Sequence, residues 1–292
     1  MKATIGIITH NRHDMISICL KSISKQTTKP EKIIIVDTSD NDKTKHAIKK
    51  SKLRIKYIHL KKRVKQPEAR NIILKNTTTD IIAFLDDDTS LKKKWLEKIV
   101  EGYSYSDDIV GVCGPAINSD LKLRALEETI STDKNQNFFK STGDVRDKSR
   151  KWIPTKPVKC QVMLGANMSY LTKKIKAVGG FVSFYKEGYG FREENFPQVK
   201  MIRKGGNFLY HPEAFVWHIK TRSGGAEFYL DHYYLCGKNH KIFADKLFSK
   251  WKSRASWIFW SVSPPCLWIT FALAIKRRNR NILRWHKGLW LS

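Results

Sequence analysis

Three consecutive acidic residues, Asp86, Asp87 and Asp88, directly follow the apolar run Ile81–Leu85. Adjacent carboxylates repel one another, so an ionised cluster needs a counter-charge, which is usually a hard divalent cation bound through oxygen. Mg²⁺ or Mn²⁺ held there would leave coordination positions for diphosphate oxygens and water. The alternative is an acidic turn that caps the next helix. The position of the triplet, directly after an apolar run, favours the metal site.

Further polar residues follow the other apolar runs of the first hundred residues. Thr9, Asn11 and Arg12 follow the first run, and Asp37 follows the second. Asp37 either ends a strand or binds a ribose hydroxyl or a base N–H. Arg70 is either an exposed helical arginine or a group that faces phosphates or a base. Each residue is ambiguous alone, but together they form a candidate ligand site.

The elements that must position these residues alternate between strands and helices. The patterns predict strands at Ala3–Thr9, Lys32–Asp37, Ile55–Leu60 and Ile81–Leu85, and helices at Asp14–Ser24, Asn41–Lys50 and from Pro67 to about Asn76. This alternation is typical of a right-handed, mostly parallel α/β sheet. Ligands of such sheets bind at the carboxyl ends of the strands, which is where the polar residues lie.

The second half of the chain is less regular. Residues 121–156 are polar and weakly patterned, which predicts an insertion or a mobile loop. Strands are predicted near Lys159–Met163 and Asn207–Tyr210, with a helix from about Glu194 to Lys204 and a last strand that ends near His218. As a lone histidine, His218 would more often be a structural residue with a satisfied hydrogen bond.

The charge of the chain points to a polyanionic partner. It has 292 residues with 55 Lys and Arg against 27 Asp and Glu, a net charge of +28, and 41% hydrophobic residues exclude global disorder. The candidate polyanionic partners are nucleic acid, an anionic membrane surface and a phosphorylated substrate. A basic nucleic-acid-binding protein is one alternative, although no known binding motif is present. A sugar nucleotidyltransferase is another, but residues 9–14 lack the glycines of a phosphate loop.

The C-terminal segment 241–292 combines positive charge with an apolar run. Residues 255–275 contain no charged residue, are interrupted by Pro264-Pro265 and have Lys and Arg on both sides. This pattern favours a bent amphipathic anchor in the cytoplasmic leaflet, and the alternative is a helix pair packed on the main domain. We expect no signal peptide. The five widely spaced cysteines fit neither a zinc site nor a disulfide framework and suggest a reducing compartment.

The order of these motifs resembles family 2 glycosyltransferases, which have the GT-A fold. The resemblance runs from residue 3 to about 240 through Thr9-x-Asn11-Arg12, Ile34–Asp37, Ala69–Asn71, Phe84–Asp88, Gly165–Met168, Gly179–Phe181, Arg192–Asn195, Arg203–Gly206 and His211–His218. It implies an α/β catalytic domain at 1–240 with a Rossmann-like, mostly parallel central sheet flanked by helices. Residues 1–115 would bind the nucleotide and 116–240 the acceptor, and the C-terminal apolar and basic helices would be an appendage.

The resemblance also implies roles for single residues. Asp88, Asp86 and His218 match the positions that hold Mn²⁺ or Mg²⁺. The lid loop 220–225 would bring an arginine to the diphosphate. The matched contacts to the nucleotide sugar are Thr9, Asn11, Arg12, Asp37, Arg70, Asp86, Asp87, Gly165, Asn167 and Arg222.

The catalytic base implied by the resemblance is Glu194. The family usually has Glu-Asp here, whereas this chain has Glu193-Glu194, so Glu193 remains a candidate. The alternative is that both occupy the first turn of a helix, where the macrodipole favours acids. A glycine that usually precedes the Ala-Arg-Asn motif is replaced by Gln66-Pro67.

The reaction implied is an inverting transfer from a nucleoside-diphosphate sugar. UDP is the expected nucleotide, with GDP and dTDP as alternatives. The expected acceptor is a lipid-linked or other glycan at the cytoplasmic face of an anionic membrane, with no specific nucleic acid involved. A catalytically dead protein of the same fold is the remaining alternative.

Overall fold

A computed structural model describes residues 1–141, 143–183, 190–220 and 232–249, together with Trp251 and Arg254. Its strands are β1 Ala3–Thr9, β2 Lys32–Asp37, β3 Ile55–His59, β4 Ile81–Asp86, β5 Thr89–Leu91, β6 Ile109–Cys113, β7 Ala116–Ser119, β8 Phe138–Phe139, β9 Val145–Arg146, β10 Val158–Cys160, β11 Asn167–Leu171, β12 Asn207–Tyr210 and β13 Val216–Ile219. Its helices are α1 His13–Ser24, α2 Lys43–Lys50, α3 Gln66–Lys75, α4 Trp95–Gly102, α5 Thr172–Ala177, α6 Asn195–Arg203 and α7 His232–Leu247.

The central sheet has the strand order β10-β12-β6-β11-β4-β1-β2-β3. The pairs β1–β2, β1–β4, β2–β3 and β6–β12 are parallel, whereas β11 runs antiparallel between β4 and β6, and β10 runs antiparallel to β12. The predicted α/β fold with a mostly parallel sheet is confirmed. The predicted strand Lys32–Asp37 matches β2 in both bounds, because an uninterrupted apolar run is what a strand covered on both faces requires.

Helices cover both faces of the sheet, and the alternation of side chains along each strand separates two cores. In β2, Ile33 and Ile35 pack into the core beneath α1 and α4, whereas Ile34 and Val36 pack into the core beneath α3. Burying side chains of this size contributes about 1.5–3 kcal/mol each. The sheet is therefore a rigid support for the loops at its carboxyl edge.

A second, three-stranded sheet has the order β5-β13-β7. Strand β5 begins at Thr89, directly after the acidic triplet, and pairs antiparallel with β13 so that His218 lies opposite Thr89. On its other side β13 runs parallel to β7, with His218 in register with Asn118. This small sheet places His218 beside the end of β4.

The polar segment 121–156 has little regular structure, as predicted, but it is packed onto the fold. Its Trp152 is fully buried and stacks on Tyr210 with ring centroids 4.3 Å apart. The Trp152 indole N–H donates to the Thr132 carbonyl, and the Ala116 N–H donates to the Ser149 carbonyl. The prediction of a mobile loop missed these anchors because a few buried side chains leave no periodic pattern.

Helix α7 packs on α6 through Phe243 and Leu247, which contact Phe196 and Val199. The predicted boundary at residue 240 lies inside this helix. Among the described residues no helix is long and apolar enough to span a membrane. The apolar run 255–275 lies outside the described residues.

Candidate active site

The acidic triplet occupies the carboxyl end of β4 and is held by groups from the loop after β1. Arg12 donates from Nη1 to Asp87 Oδ1 at 2.9 Å and from Nη2 to Asp88 Oδ2 at 2.7 Å. The Thr9 hydroxyl donates to the other oxygen of Asp87 at 2.7 Å. Asp87 and Asp88 are buried, and Asp86 is half-buried. Both oxygens of Asp87 are thus used inside the protein, which makes it a support for its neighbours.

Asp86, Asp88 and His218 converge on one point. The His218 Nε2 atom lies 3.4 Å from Asp88 Oδ1 and 3.7 Å from Asp86 Oδ2, and one ligand atom from each residue lies within 4.8 Å of the others. Asp88 Oδ1 is buried and has no hydrogen-bond partner among the described residues. Two carboxylate oxygens and an imidazole nitrogen suit Mn²⁺ or Mg²⁺. The residues therefore fit the expected divalent cation.

The three aspartates differ in their electrostatics. Burial opposes the ionisation of Asp86, but its hydrogen bond with His218 and the charges of Arg70 and Arg150 lower its pKa. Burial raises the pKa of Asp87 to about 7, although Arg12 works against this shift. Asp86 therefore carries a stable negative charge at the exposed side of the cluster, where an incoming cation would meet it.

A second buried charge pair lies in the same site. Arg70 donates from Nη1 to Glu193 Oε1, and both side chains are almost fully buried. Gln66 bridges the pair when its amide oxygen accepts from Arg70 Nη2 at 2.9 Å and its nitrogen donates to Glu193 Oε1 at 3.2 Å. Burial raises the pKa of Glu193 to about 8 against the attraction of Arg70. Its other oxygen, Oε2, is buried and has no hydrogen-bond partner among the described residues, so Glu193 is held by Arg70 and remains the second candidate for the base.

Glu194 immediately precedes α6 and is half-buried. Its side chain makes no capping hydrogen bond with α6, so the alternative role of stabilising the helix would rest on the macrodipole alone. Burial raises the pKa of Glu194, and Arg70 partly offsets the shift. Burial also opposes the charge of Arg70, but Glu193, Glu194 and Asp86 outweigh it and raise the pKa of Arg70. Arg70 thus lies within electrostatic reach of both glutamates and of Asp86.

The loop after β2 is built around Asp37, which is fully buried. Its carboxylate accepts from the Ser39 N–H at 2.8 Å, from the Ser39 hydroxyl and from the Tyr57 hydroxyl at 2.7 Å. Asn11 has a φ of 55° and its amide exchanges hydrogen bonds with Asp40. Asp37 therefore holds together the loop at the carboxyl end of β2.

Asn167 does not face the site, contrary to the prediction of a nucleotide-sugar contact. Its side chain is fully buried, its oxygen accepts from the Trp95 indole N–H at 2.9 Å, and its nitrogen donates to the carbonyls of Pro115 and Ala214. A polar residue after an apolar turn looks the same in sequence whether it faces ligand or core. Only strand pairing decided the direction, because β11 lies between β4 and β6.

Gly165 borders the site through its backbone. A Cβ atom at this position would lie 2.8 Å from Arg70 Nη2, so the absence of a side chain makes room for the arginine. The site therefore includes Thr9, Arg12, Arg70, Asp86, Asp87, Asp88, Gly165, Glu193, Glu194 and His218, with Asn11 and Asp37 at the neighbouring strand ends. Arg222 lies outside the described residues.

Gln66, Asn118 and Arg150 also contact residues of the site, and none of them was predicted from the sequence. Gln66 stands where the family usually has glycine, and this substitution was a visible signal. Arg150 donates to His218 Nδ1 at 3.0 Å and to Asn118 Oδ1 at 2.8 Å. Nothing in the polar segment 121–156 distinguished Arg150 from its basic neighbours.

Known proteins provide an independent comparison with this site. The sequence profile of the glycosyl transferase family 2 matches residues 4–173, which include the triplet at the end of β4. The O-antigen chain rhamnosyltransferase RfbN of Salmonella typhimurium is 25% identical over 231 residues, 78% of this chain and 69% of RfbN. The uncharacterized glycosyltransferase YwdF of Bacillus subtilis is 30% identical over 149 residues, 50% of this chain and 53% of YwdF. The chain thus spans about half the length of YwdF.

Solved structures agree on the fold. The mannosyltransferase PcManGT from Pyrobaculum calidifontis, in complex with GDP-Man and Mn²⁺, superposes with a TM-score of 0.59 at 14% identity, covering 99% of this chain and 84% of the other. GalNAc-T7 with UDP, GalNAc and Mn²⁺ superposes with a TM-score of 0.63 at 14% identity, covering 89% of this chain and 51% of the GalNAc-T7 chain. These likenesses show the GT-A fold. With the profile match over more than half of its length, the chain belongs to glycosyl transferase family 2.

Proposed function

We propose that this protein is a divalent-cation-dependent, inverting glycosyltransferase that transfers a sugar from a nucleoside diphosphate to a glycan acceptor. The observation that carries the proposal is the convergence of Asp86, Asp88 and His218 beside the Arg70–Glu193–Glu194 group. Two similar structures hold Mn²⁺ with GDP-Man or with UDP and GalNAc, which supports a nucleotide-sugar donor. UDP is the first nucleotide to test, followed by GDP and dTDP.

Each group of the site has a separate part in this reaction. Asp86, Asp88 and His218 would hold the cation, which supplies positive charge against the charge that develops on the leaving diphosphate. Glu194 accepts the proton of the acceptor hydroxyl as its oxygen attacks the anomeric carbon from the opposite face. The charge of Arg70 favours the ionised form of Glu194 against the effect of burial, and Arg70 is itself held by Glu193 and Gln66. A single displacement of this kind inverts the anomeric configuration.

Calorimetric titration with UDP, GDP and dTDP, each with and without Mn²⁺, tests the proposal. We expect metal-dependent binding of one nucleotide and its loss in Asp88→Asn, since this change removes a carboxylate from the cluster. Asp108→Asn is the matched control, because Asp108 precedes β6 at the opposite edge of the sheet and pairs with Lys159. A folded wild-type chain that binds none of the nucleotides with Mn²⁺ present would refute the proposed function.

We further propose that the acceptor is carried at an anionic membrane surface. Residues 43–65 contain eleven Lys or Arg and no Asp or Glu, and they form α2, the edge strand β3 and the loop before α3. All of these cations are exposed except the half-buried Lys65. A few lysines would suffice to prevent the edge strand β3 from pairing with a strand of another molecule. Edge protection therefore does not account for all eleven cations. The excess on α2 and the loop supports docking to anionic headgroups, and the relative RfbN, which is named for the O-antigen chain, fits such an acceptor.

Vesicle sedimentation tests the docking surface separately from the chemistry. Each cation near an anionic surface contributes about 1 kcal/mol, so Lys49→Glu with Lys50→Glu should weaken binding to phosphatidylglycerol vesicles at least about tenfold. The control is Lys173→Glu with Lys174→Glu on α5, which makes the same change of charge at another exposed pair. Equal losses in the two variants would mean that net charge and not this face drives binding. Preferential RNA binding by residues 43–65 would also contradict the membrane role.

A further inference from the structure

Arg150 contacts the metal cluster from a segment to which no function has been assigned. It is half-buried, and its Nη1 atom lies 3.0 Å from His218 Nδ1 and 2.8 Å from Asn118 Oδ1. Its charge also lowers the pKa of Asp86, which places it within electrostatic reach of the carboxylates. Arg150 is therefore a neighbour of the Asp86, Asp88 and His218 group and contacts it through His218.

The contact with Arg150 determines which nitrogen of His218 carries the proton. A guanidinium has only N–H donors, so Nδ1 must accept with its lone pair, and the proton of the neutral ring must then lie on Nε2. A divalent cation needs the lone pair of Nε2, and the proton would then have to move to Nδ1. With that tautomer the N–H of His218 and the N–H of Arg150 would face each other. The bond to Arg150 and metal ligation by His218 are mutually exclusive.

Asn118 offers the acceptor that the alternative tautomer needs. It is in register with His218 across the β7–β13 pair, and its Oδ1 atom now accepts from Arg150. Departure of Arg150 would free this oxygen for an N–H on Nδ1. A ligating histidine normally donates its second ring N–H to such an oxygen.

The backbone around Arg150 is held on both sides, so that only the side chain is free to change partners. The Ser149 carbonyl accepts from the Ala116 N–H at 2.9 Å, and the Ser149 hydroxyl accepts from Asn137 at 2.7 Å. Trp152 is buried against Tyr210. A long side chain on a fixed backbone can rotate from one partner to another without opening the loop.

We propose that Arg150 binds the diphosphate of the donor and that ligation of a cation by His218 Nε2 releases it for this role. The bond between Arg150 Nη1 and His218 Nδ1 cannot persist once Nε2 ligates, and a diphosphate bound to the same cation would offer its oxygens as new acceptors. A guanidinium forms bidentate, charge-assisted hydrogen bonds with phosphate oxygens. Arg150 would thus make nucleotide binding depend on the cation. The inference rests on the proposed function and names a further binding residue for it.

The test measures metal binding and nucleotide binding separately in Arg150→Met, which keeps the length of the side chain but removes every donor. Mn²⁺ alone should bind several-fold more tightly than to wild type, as measured by the electron paramagnetic resonance of free Mn²⁺, since Nε2 no longer has to break a bond to Arg150. At saturating Mn²⁺ the nucleotide that binds wild type should bind about 10–100-fold more weakly, because a hydrogen bond to a charged group is lost. Arg146→Met on β9 is the control and should change neither affinity.

In Arg150→Met the expected changes in Mn²⁺ affinity and in nucleotide affinity have opposite signs, which distinguishes binding of the diphosphate by Arg150 from a structural role. If Arg150 only supported the fold, its replacement would weaken both affinities or neither, and either result would overturn the inference. A wild-type chain that binds neither Mn²⁺ nor nucleotide would overturn the proposed function with it. If wild type binds both and Arg150→Met behaves like Arg146→Met, only the inference fails.

A measurement on the wild-type protein avoids dependence on the folding of the variant. Nitrogen-15 NMR of the imidazoles should show the proton of His218 on Nε2 in protein treated with a chelator. It should lie on Nδ1 after addition of diamagnetic Cd²⁺. The same tautomer under both conditions would overturn the inference.

Discussion

The carboxylates at the end of β4 and those before α6 are both buried beside an arginine, yet they are arranged differently. At the end of β4, Arg12 satisfies one oxygen each of Asp87 and Asp88 and leaves Asp88 Oδ1 without a hydrogen-bond partner, facing His218. Before α6, Arg70 and Gln66 surround one oxygen of Glu193, and Glu194 remains half-buried.

The difference teaches how one site obtains two functions from the same functional group. The first cluster keeps an acceptor atom open towards an imidazole, as a cation site requires. In the group before α6, the charge of Arg70 favours the ionised form of Glu194, as a proton acceptor requires. Variants that alter one cluster should therefore have effects different in kind from variants that alter the other.

The largest expected effect is that of Glu194→Gln, which removes the proton acceptor without changing the size of the side chain. Loss of a general base lowers turnover by about 10²–10⁴-fold. Metal-dependent nucleotide binding measured by calorimetry should stay as in wild type, since the metal cluster is separate. Glu194→Asp restores the residue usual in the family and should retain more activity than Glu194→Gln. A loss of nucleotide binding in Glu194→Gln would break the division between the two clusters.

The next largest effect is on stability, in Arg70→Met. Removing one partner of a buried ion pair costs about 3–5 kcal/mol in the free energy of unfolding. The pKa of Glu193 is about 8 with Arg70 present, and removal of Arg70 raises it further. The loss of stability relative to wild type should therefore grow as pH rises above about 8, as measured by urea denaturation. The double variant Arg70→Met, Glu193→Met should recover much of the stability. If the loss in the free energy of unfolding of Arg70→Met does not change with pH, Glu193 does not carry a charge in the folded variant.

The smallest expected effect is a displaced pH dependence of activity. Burial raises the pKa of Glu194, and the base works only when deprotonated, so kcat/KM should rise with pH through an ionisation above the usual glutamate range. Below that pKa the rate should fall about tenfold for each pH unit. The residual activity of Glu194→Gln should lack this acidic limb. If the acidic side of the pH dependence of kcat/KM is unchanged in Glu194→Gln, the ionisation belongs to another group, with Asp87 as the first candidate.

How much of the site was predictable depends on where each residue lies. Thr9, Asp37 and Asp86 are the last residues of apolar strands, and the change from apolar to polar residues shows where each strand ends. The ends of parallel strands lie together at the carboxyl edge of the sheet. Asn167 was misassigned because β11 runs antiparallel in the middle of the sheet, which a local pattern cannot show. Arg150 was missed because its segment has no periodicity.

The sequence by itself determined the first four strands and the first three helices, the position of the acidic triplet and the pair Glu193-Glu194. Local composition suffices for these features because burial on both faces of a sheet selects continuous apolar runs. Only the tertiary structure decided that Glu193 is bound by Arg70, that Asp87 supports its neighbours and that Arg150 contacts His218. These pairings join residues far apart in the chain, and their partners are selected by desolvation and hydrogen-bond geometry, which exist only once the chain is folded.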